Sequence, residues 1–279
     1  MRIFILCLFS FALFASEELN DVVFAITPEK TLKMNIYLPT KQKANRPALM
    51  WIHGGGWKGG NRKNCHLKWL VEYGYVVASI SYRFSHEAKY PAQLHDCKAG
   101  LRYLKAHASK YGIDPQRIAI SGASAGGHLS ALMATTAGDS FLNGNLGNYS
   151  DQNTKVPAVI DFYGATDFLL RSKNQPEKVN QRGGVVYELL GGDIVKKRDL
   201  AIKSSAALQV GEGASPLLII HGSKDNVVLP DQSKRIHQVY QEKGLSSKLH
   251  IIQGAGHGGK AFQSLEIKQM ILDFLNKDN

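Results

Sequence analysis

Apolar residues are distributed along this chain in two distinct patterns. Short, largely apolar runs occur at residues 48–52 (ALMWI), 76–80 (VVASI), 158–162 (AVIDF) and 217–220 (LLII), with Ser79 and Asp161 the polar residues within them. Runs of this length, rich in β-branched side chains, predict strands covered on both faces. Residues 22–26 and 31–38 read as two further strands joined by a turn at Pro28-Glu29-Lys30, and 118–120 and 248–252 add two more. Between the runs the spacing changes to three and four. Leu94, Cys97, Leu101, Leu104, Ala108 and Tyr111 form an apolar stripe, with His95, Lys98, Arg102, Lys105 and Ser109 on the opposite, polar face. Helices are likewise predicted over 125–137 and 231–243, the latter stopped by Gly244, and at the end of the chain through Ile267, Met270, Ile271, Phe274 and Leu275. This alternation predicts a mostly parallel sheet with helices on both faces, built as one α/β domain over residues 16–279.

Two segments depart from the alternation. Residues 165–216, between predicted strands 6 and 7, are rich in Lys, Arg, Gln and Gly, with only short helical hints such as 185–190. A connection this long predicts an excursion over the active end of the sheet. At the N-terminus, Arg2 precedes an apolar run over residues 3–15, and Glu17-Glu18 follows. That is the layout of a signal peptide cleaved after Ala15, with an exported product. The run is shorter than the roughly 20 apolar residues a spanning helix needs, so no stable membrane anchor is expected.

Composition changes the picture little. The 279 residues carry a formal charge of +11, but Lys and Arg are scattered, without the dense basic stripe that nucleic-acid binding requires. Cys, Asp and His do not cluster at metal-ligand spacings, so neither a metal nor a cofactor is expected. Beyond the leader only Cys65 and Cys97 remain. Cys97 lies on an apolar helix stripe, where a thiol acts as a small hydrophobe, and the pair is expected to be unbridged.

Chemistry is concentrated in glycine-rich turns. Gly122-Ala123-Ser124-Ala125-Gly126 stands between a predicted strand and a predicted helix. A serine there occupies a tight turn that lifts its hydroxyl above the sheet, and the flanking glycines let two backbones pass closely. His53-Gly54-Gly55-Gly56-Trp57 follows the strand ending at Ile52. Its backbone can turn N–H groups toward the oxyanion that acyl transfer creates; Gly55 and Gly56 are the expected donors, joined by Ala125. His53 reads as a brace for this loop. Trp57 is a candidate for lining the substrate site, as a flat face for a sugar or aromatic group.

A serine hydroxyl needs a base, and the base needs an orienting acid. His257, in Gly254-Ala255-Gly256-His257-Gly258-Gly259, is the expected base. His128, His221, His237 and His250 are less favourably placed, within predicted helices or strands or immediately before the acid. Asp225, just after the strand ending at Ile220, is the expected acid. Asp231 reads as a helix N-cap and Asp167 as structural.

These motifs resemble one family. The segments His53 to Trp57 with Gly60, Asp114 to Ile118, Ser124 to Leu129, His221 to Asp225 and Gly256-His257 are similar to those of α/β-hydrolase carboxylesterases typified by bifunctional bacterial acetyl xylan/feruloyl esterases, BD-FAE-like enzymes related to the hormone-sensitive-lipase group. The resemblance implies the α/β-hydrolase fold and metal-free ester hydrolysis by exported enzymes, often on decorated plant polysaccharide or its oligosaccharides. Relatives carry an Ala-Ser-Pro turn in the excursion where this chain reads Lys203-Ser204-Ser205-Ala206. Arg171, Lys173, Lys178, Arg182, Lys196, Lys197 and Arg198 make that excursion a poor lipid-facing lid, so short acyl esters on a polar alcohol are expected. Two rivals stand beside this reading: a peptidase or aryl-formamidase on the same fold, and a binding protein that has lost activity.

Overall fold

The computed structural model describes residues 17–41 and 43–276; the expected leader, residues 1–15, lies outside them. Eight described strands form one sheet: β1 (Glu17–Ile26), β2 (Thr31–Leu38), β3 (Arg46–Ile52), β4 (Val76–Ile80), β5 (Ile113–Ala123), β6 (Val159–Phe162), β7 (Leu217–Gly222) and β8 (Ser247–Ile252). Their order is β1-β2-β4-β3-β5-β6-β7-β8. β1 and β2 pair antiparallel, as do β2 and β4, while β3 to β8 run parallel. The turn between β1 and β2 closes where expected, with Thr27 Oγ1 accepting from Lys30 N at 3.0 Å. β1 starts earlier than its apolar pattern suggests, and two register shifts bend it along β2.

The largely apolar runs are explained by cover on both sides. Met50, Ile52, Ala78, Ile80 and Ile120 face one core with the helices Ala92–Ala106, Ala125–Thr135 and Asp231–Glu242. Their neighbours Leu49, Trp51, Val77 and Ala119 face a second core, closed by Leu70 of the 3₁₀ helix Lys68–Tyr73 and by Ile267 and Ile271 of the helix Leu265–Leu275. Side chains alternate across a strand, so an all-apolar strand feeds two cores at once. Edge strands β1 and β8 are the exceptions, with residues mostly exposed or only half-buried. Cys97 belongs to the first core and Cys65 packs against the second, so the sheet lies between two free thiols. Burial pushes the Cys65 thiol up to about 12.

The polar face expected on the helix Ala92–Ala106 is largely covered. Lys98, Arg102 and Lys105 are all buried beneath residues 136–155. Lys98 Nζ donates to Thr136 O at 2.7 Å, Thr136 Oγ1 at 3.0 Å and Asn143 Oδ1 at 2.7 Å. Arg102 donates to the carbonyls of Asn143, Gly144 and Leu146, and Lys105 to Asn153 Oδ1 and Lys155 O. The cations thus hold a loop in place by bonding its carbonyls, giving those backbone acceptors partners. That helix also ends at Ala106, short of Tyr111; a 3₁₀ turn, Ser109–Tyr111, leads to Gly112 in the left-handed region.

The excursion between β6 and β7 folds into short helices, Phe168–Asn174, Pro176–Val179, Val185–Leu190, Arg198–Lys203 and Ala206–Gln209. Of its expected surface cations, Arg171 is buried, and its Nη2 donates to Val227 O at 2.9 Å. The Ser204-Ser205 departure is an anchor: His128 Nε2 bonds Ser204 O at 2.7 Å, and Ser205 Oγ accepts from Phe168 N at 2.9 Å.

Candidate active site

Ser124 stands between the end of β5 and the helix Ala125–Thr135 with φ 56° and ψ −115°. A non-glycine residue in this region carries a conformational cost of about 1–3 kcal/mol, held in place by its surroundings. Ser124 N donates to Phe162 O at 2.8 Å, and Ser124 O accepts from His128 N at 2.9 Å. The flanking glycines are steric necessities. A Cβ on Gly122 would lie 2.4 Å from Gly126 O, and one on Gly126 would lie 2.0 Å from Ile52 O.

His257 and Asp225 complete a chain of contacts to this serine. His257 Nε2 lies 2.9 Å from Ser124 Oγ, and Nδ1 lies 2.6 Å from Asp225 Oδ2. A carboxylate only accepts, so Nδ1 carries the proton and Nε2 is free to accept from the hydroxyl. Asp225 Oδ1 accepts from Val227 N and Val228 N, at 2.9 and 3.0 Å. Burial on its own would raise the Asp225 pKa. The hydrogen bonds from His221 and His257, the electrostatic pull of the His257 ring and the Val228 amide outweigh it and hold the carboxyl far below its usual range.

His221, set aside at the sequence level, is part of this assembly. It is fully buried, and its Nε2 lies 3.1 Å from Asp225 Oδ2 and 2.9 Å from Val228 O. Both neighbours are acceptors, so Nε2 carries the proton and Nδ1 accepts from Ser233 Oγ at 2.6 Å. The available signal was a histidine and glycine closing a buried strand four residues before the acid. Tyr163 is the second residue missed. It is buried, its φ is 45°, and its ring centroid lies 4.7 Å from that of His257.

The Asp alternatives have other roles. Asp167 caps the helix Phe168–Asn174, accepting from Leu169 N and Leu170 N. Asp231 is not the cap expected of it: Pro230 holds that position, and Asp231 instead bonds Asn174 from the first turn.

On the other side of Ser124, Gly55 and Gly56 take φ 116° and 60°, and among the described residues neither N–H has an acceptor. Ala125 is the first residue of its helix, where an N–H has no intrahelical partner. His53 braces the loop: its Nδ1 donates to Gly54 O at 2.8 Å, and its ring stacks on Tyr82 at 4.4 Å. Burial lowers its pKa to about 4, so it is neutral. Trp57, expected in the substrate site, is instead buried at 2% exposure. Its Nε1 donates to His128 Nδ1 at 3.2 Å, and its ring packs edge-on to His128 and Phe168. An indole N–H needs a buried partner once its ring is buried, and His128 supplies it. Trp51, itself buried, stands behind the wall of a cavity of about 470 Å³ bordered by Gly55, Gly56, His66, Ser124, Tyr163 and His257. The excursion packs beside the glycine loop, since a Cβ on Gly56 would lie 3.3 Å from Val185 Cγ1.

The arrangement provides a hydroxyl, a base able to take its proton, an ionised acid behind the base, and N–H groups free to receive a developing negative charge. A sheet with strands β3 to β8 parallel, a serine strained at a strand-to-helix turn, and an acid and a histidine on the loops after β7 and β8 define an α/β-hydrolase. Within that fold the chain belongs to the BD-FAE family, whose profile matches residues 34–240. It is 30% identical over 244 residues to "Probable carboxylic ester hydrolase LipM" of Mycobacterium tuberculosis, an alignment covering 81% of this chain and 54% of that protein. The chain spans about half the length of the curated relatives it matches. A solved structure described as a truncated carbohydrate esterase from gut microbiota superposes with a TM-score of 0.84 at 31% identity, covering 95% of this chain and 96% of that one. A bifunctional GH43-CE protein of Bacteroides eggerthii gives a TM-score of 0.84 at 29% identity, over 94% of this chain and 38% of that one.

Proposed function

We propose that this chain is a serine esterase that hydrolyses short-chain carboxylic esters through Ser124, His257 and Asp225. The observation that carries the reading is the pair of contacts from Asp225 through His257 to Ser124, opening on a cavity bordered by Gly55 and Gly56. In the first step His257 Nε2 takes the Ser124 proton while Oγ bonds to the acyl carbon. The carbonyl oxygen becomes an oxyanion, received by the Gly55, Gly56 and Ala125 N–H groups. The ester C–O bond then breaks, and the departing alcohol takes the proton from His257. Water attacks the acyl-serine with His257 again as base, the acid leaves, and the proton returns to Ser124. Asp225 stays ionised throughout and steadies the transient imidazolium.

The expected substrate is an acetyl or feruloyl ester on polysaccharide or its oligosaccharides. The carbohydrate-esterase descriptions of two close structural neighbours support that class. The exposed cations Lys173, Arg182, Lys196, Lys197 and Arg198 support a polar rather than a lipid partner. The apolar run over residues 3–15 supports action outside the cytoplasm, and among the described residues no helix is long and apolar enough to cross a membrane. Purified protein assayed on acyl p-nitrophenyl esters and on acetylated and feruloylated xylans tests the proposal. Acid release that depends on Ser124 supports it; release from amides or peptides alone would replace it with the amidase alternative.

A further inference from the structure

The cavity at Ser124 does not end at the catalytic residues. His66 and Asn64 form part of its wall, and the same two side chains border an adjoining depression of about 450 Å³ with Lys63, Cys65, Trp69 and Lys268. A third hollow of about 190 Å³ shares His66, Trp69 and Lys268 and is backed by Tyr163 and Phe262. Together they make one groove, leading from the serine across His66 to Trp69.

Its lining has a definite chemistry. Trp51 and His66 lie with ring centroids 5.0 Å apart near the serine, and the half-buried Trp69 lies further out. Between and around them stand the exposed amides of Asn61, Asn64 and Gln263. Flat rings beside amides that both donate and accept suit a chain of hydroxylated rings. No Asp or Glu lines any of the three hollows among the described residues. Lys63 and Lys268 do, and among the described residues neither forms an ion pair with a carboxylate. Lys268 Nζ lies 5.2 Å from the Trp69 ring centroid, so a cation and an aromatic face present themselves together at the far end. Further along, the neighbouring hollow contains Glu18 and Asp21, but these are engaged by Lys68 and Arg62.

We propose that this groove is a binding site for the alcohol portion of the ester as an acidic oligosaccharide: sugar rings over the exposed His66, which the buried Trp51 backs, and over Trp69, with a uronate carboxylate at Lys63 and Lys268. The inference rests on the esterase reading above and narrows its substrate to a polymer carrying negative charge. Small esters reach Ser124 without occupying the outer groove.

The test compares three substrates on wild-type protein, Trp69→Ala, Lys63→Gln and Lys268→Gln: p-nitrophenyl acetate, a neutral acetylated xylo-oligosaccharide, and one of equal length bearing a glucuronate branch. Wild type is expected to prefer the acidic oligosaccharide over the neutral one by about fivefold in kcat/KM at low salt, the scale of a partly exposed ion pair. The preference should fade near 1 M salt. Each Lys→Gln change should lower the ratio of acidic-oligosaccharide to p-nitrophenyl acetate activity by about threefold to fivefold, mainly through KM. Trp69→Ala should lower the ratio for both oligosaccharides by about fivefold. Equal wild-type rates on acidic and neutral oligosaccharides, or unchanged ratios in the lysine variants, would overturn the groove assignment while Ser124-dependent hydrolysis of p-nitrophenyl acetate left the esterase reading standing. Absence of any Ser124-dependent ester hydrolysis would overturn both.

Discussion

Ser124→Ala is expected to fold normally and to lose about 10⁴-fold or more in kcat, because the rest of the site keeps only the catalysis of binding and oxyanion contacts. A fluorophosphonate should label wild-type protein at Ser124, and labelling elsewhere would displace the assignment. Asp225→Asn is expected to cost about 10⁴-fold as well, by disturbing the His257 tautomer. Asp231→Asn should cost little, since its side chain reaches only Asn174; comparing kcat for the two separates acid from bystander. His221→Ala should lower kcat by about tenfold to a hundredfold with KM nearly unchanged, because it removes a donor that holds the Asp225 carboxylate. A rise in KM alone would give His221 a merely structural part. Ser124 and Asp225 were legible because each stands on a turn at the end of a buried run, and His257 because it stands among glycines after the last strand. Trp57 was misread for a physical reason. A tryptophan beside the oxyanion loop can face either way, and the choice is made by His128, a partner 71 positions away.

Whole elements follow the same division between local and distant causes. The strands were legible because a largely apolar run has few other uses in a folded chain. The burial of Lys98, Arg102 and Lys105 was not, because three-four spacing marks which face is polar but not what covers it. β6 presents a related case. Its Asp161 is fully buried, with Oδ1 accepting from Gly164 N and, among the described residues, no partner for Oδ2. Burial raises this carboxyl from 3.8 to about 6, against the Gly164 bond and the electrostatic pull of the nearby His221 ring. Below 3.8 the group is protonated in folded and unfolded chains alike, and the folded state is at no disadvantage. As pH rises toward 6 the unfolded chain ionises first, so stability falls and then levels off. Asp161→Asn keeps an acceptor for Gly164 and should remove this decline, gaining about 1–3 kcal/mol over wild type at pH 8 relative to pH 4. Urea titrations of both proteins at the two pH values check it, and a difference that does not change with pH would refute it. The two cysteines, on opposite sides of the sheet, should both react in thiol counting under denaturing, non-reducing conditions.

At the scale of the molecule, the excursion is expected to set acyl length. With Val185 against Gly56 and Arg171 tied to Val227, it is packed onto the site rather than hinged above it. The kcat/KM series from acetyl to palmitoyl p-nitrophenyl esters should therefore peak at about four carbons or fewer, the length at which added methylenes lose their binding gain to crowding. A maximum at eight or more would refute this. The same view of the sheet bears on how activity is lost. Ser124 is carried by β5, deep in the sheet, whereas His257 follows β8, an edge strand paired on one side only and half open to water. Strands of that kind open before the interior of a domain does. In rising denaturant the protein should therefore pass through a stage in which its nucleophile is still seated and its proton acceptor has been carried away. Esterase activity should disappear before far-ultraviolet circular dichroism reports unfolding, and hydrogen exchange should find the amides of residues 247–259 opening before those of β3 to β7.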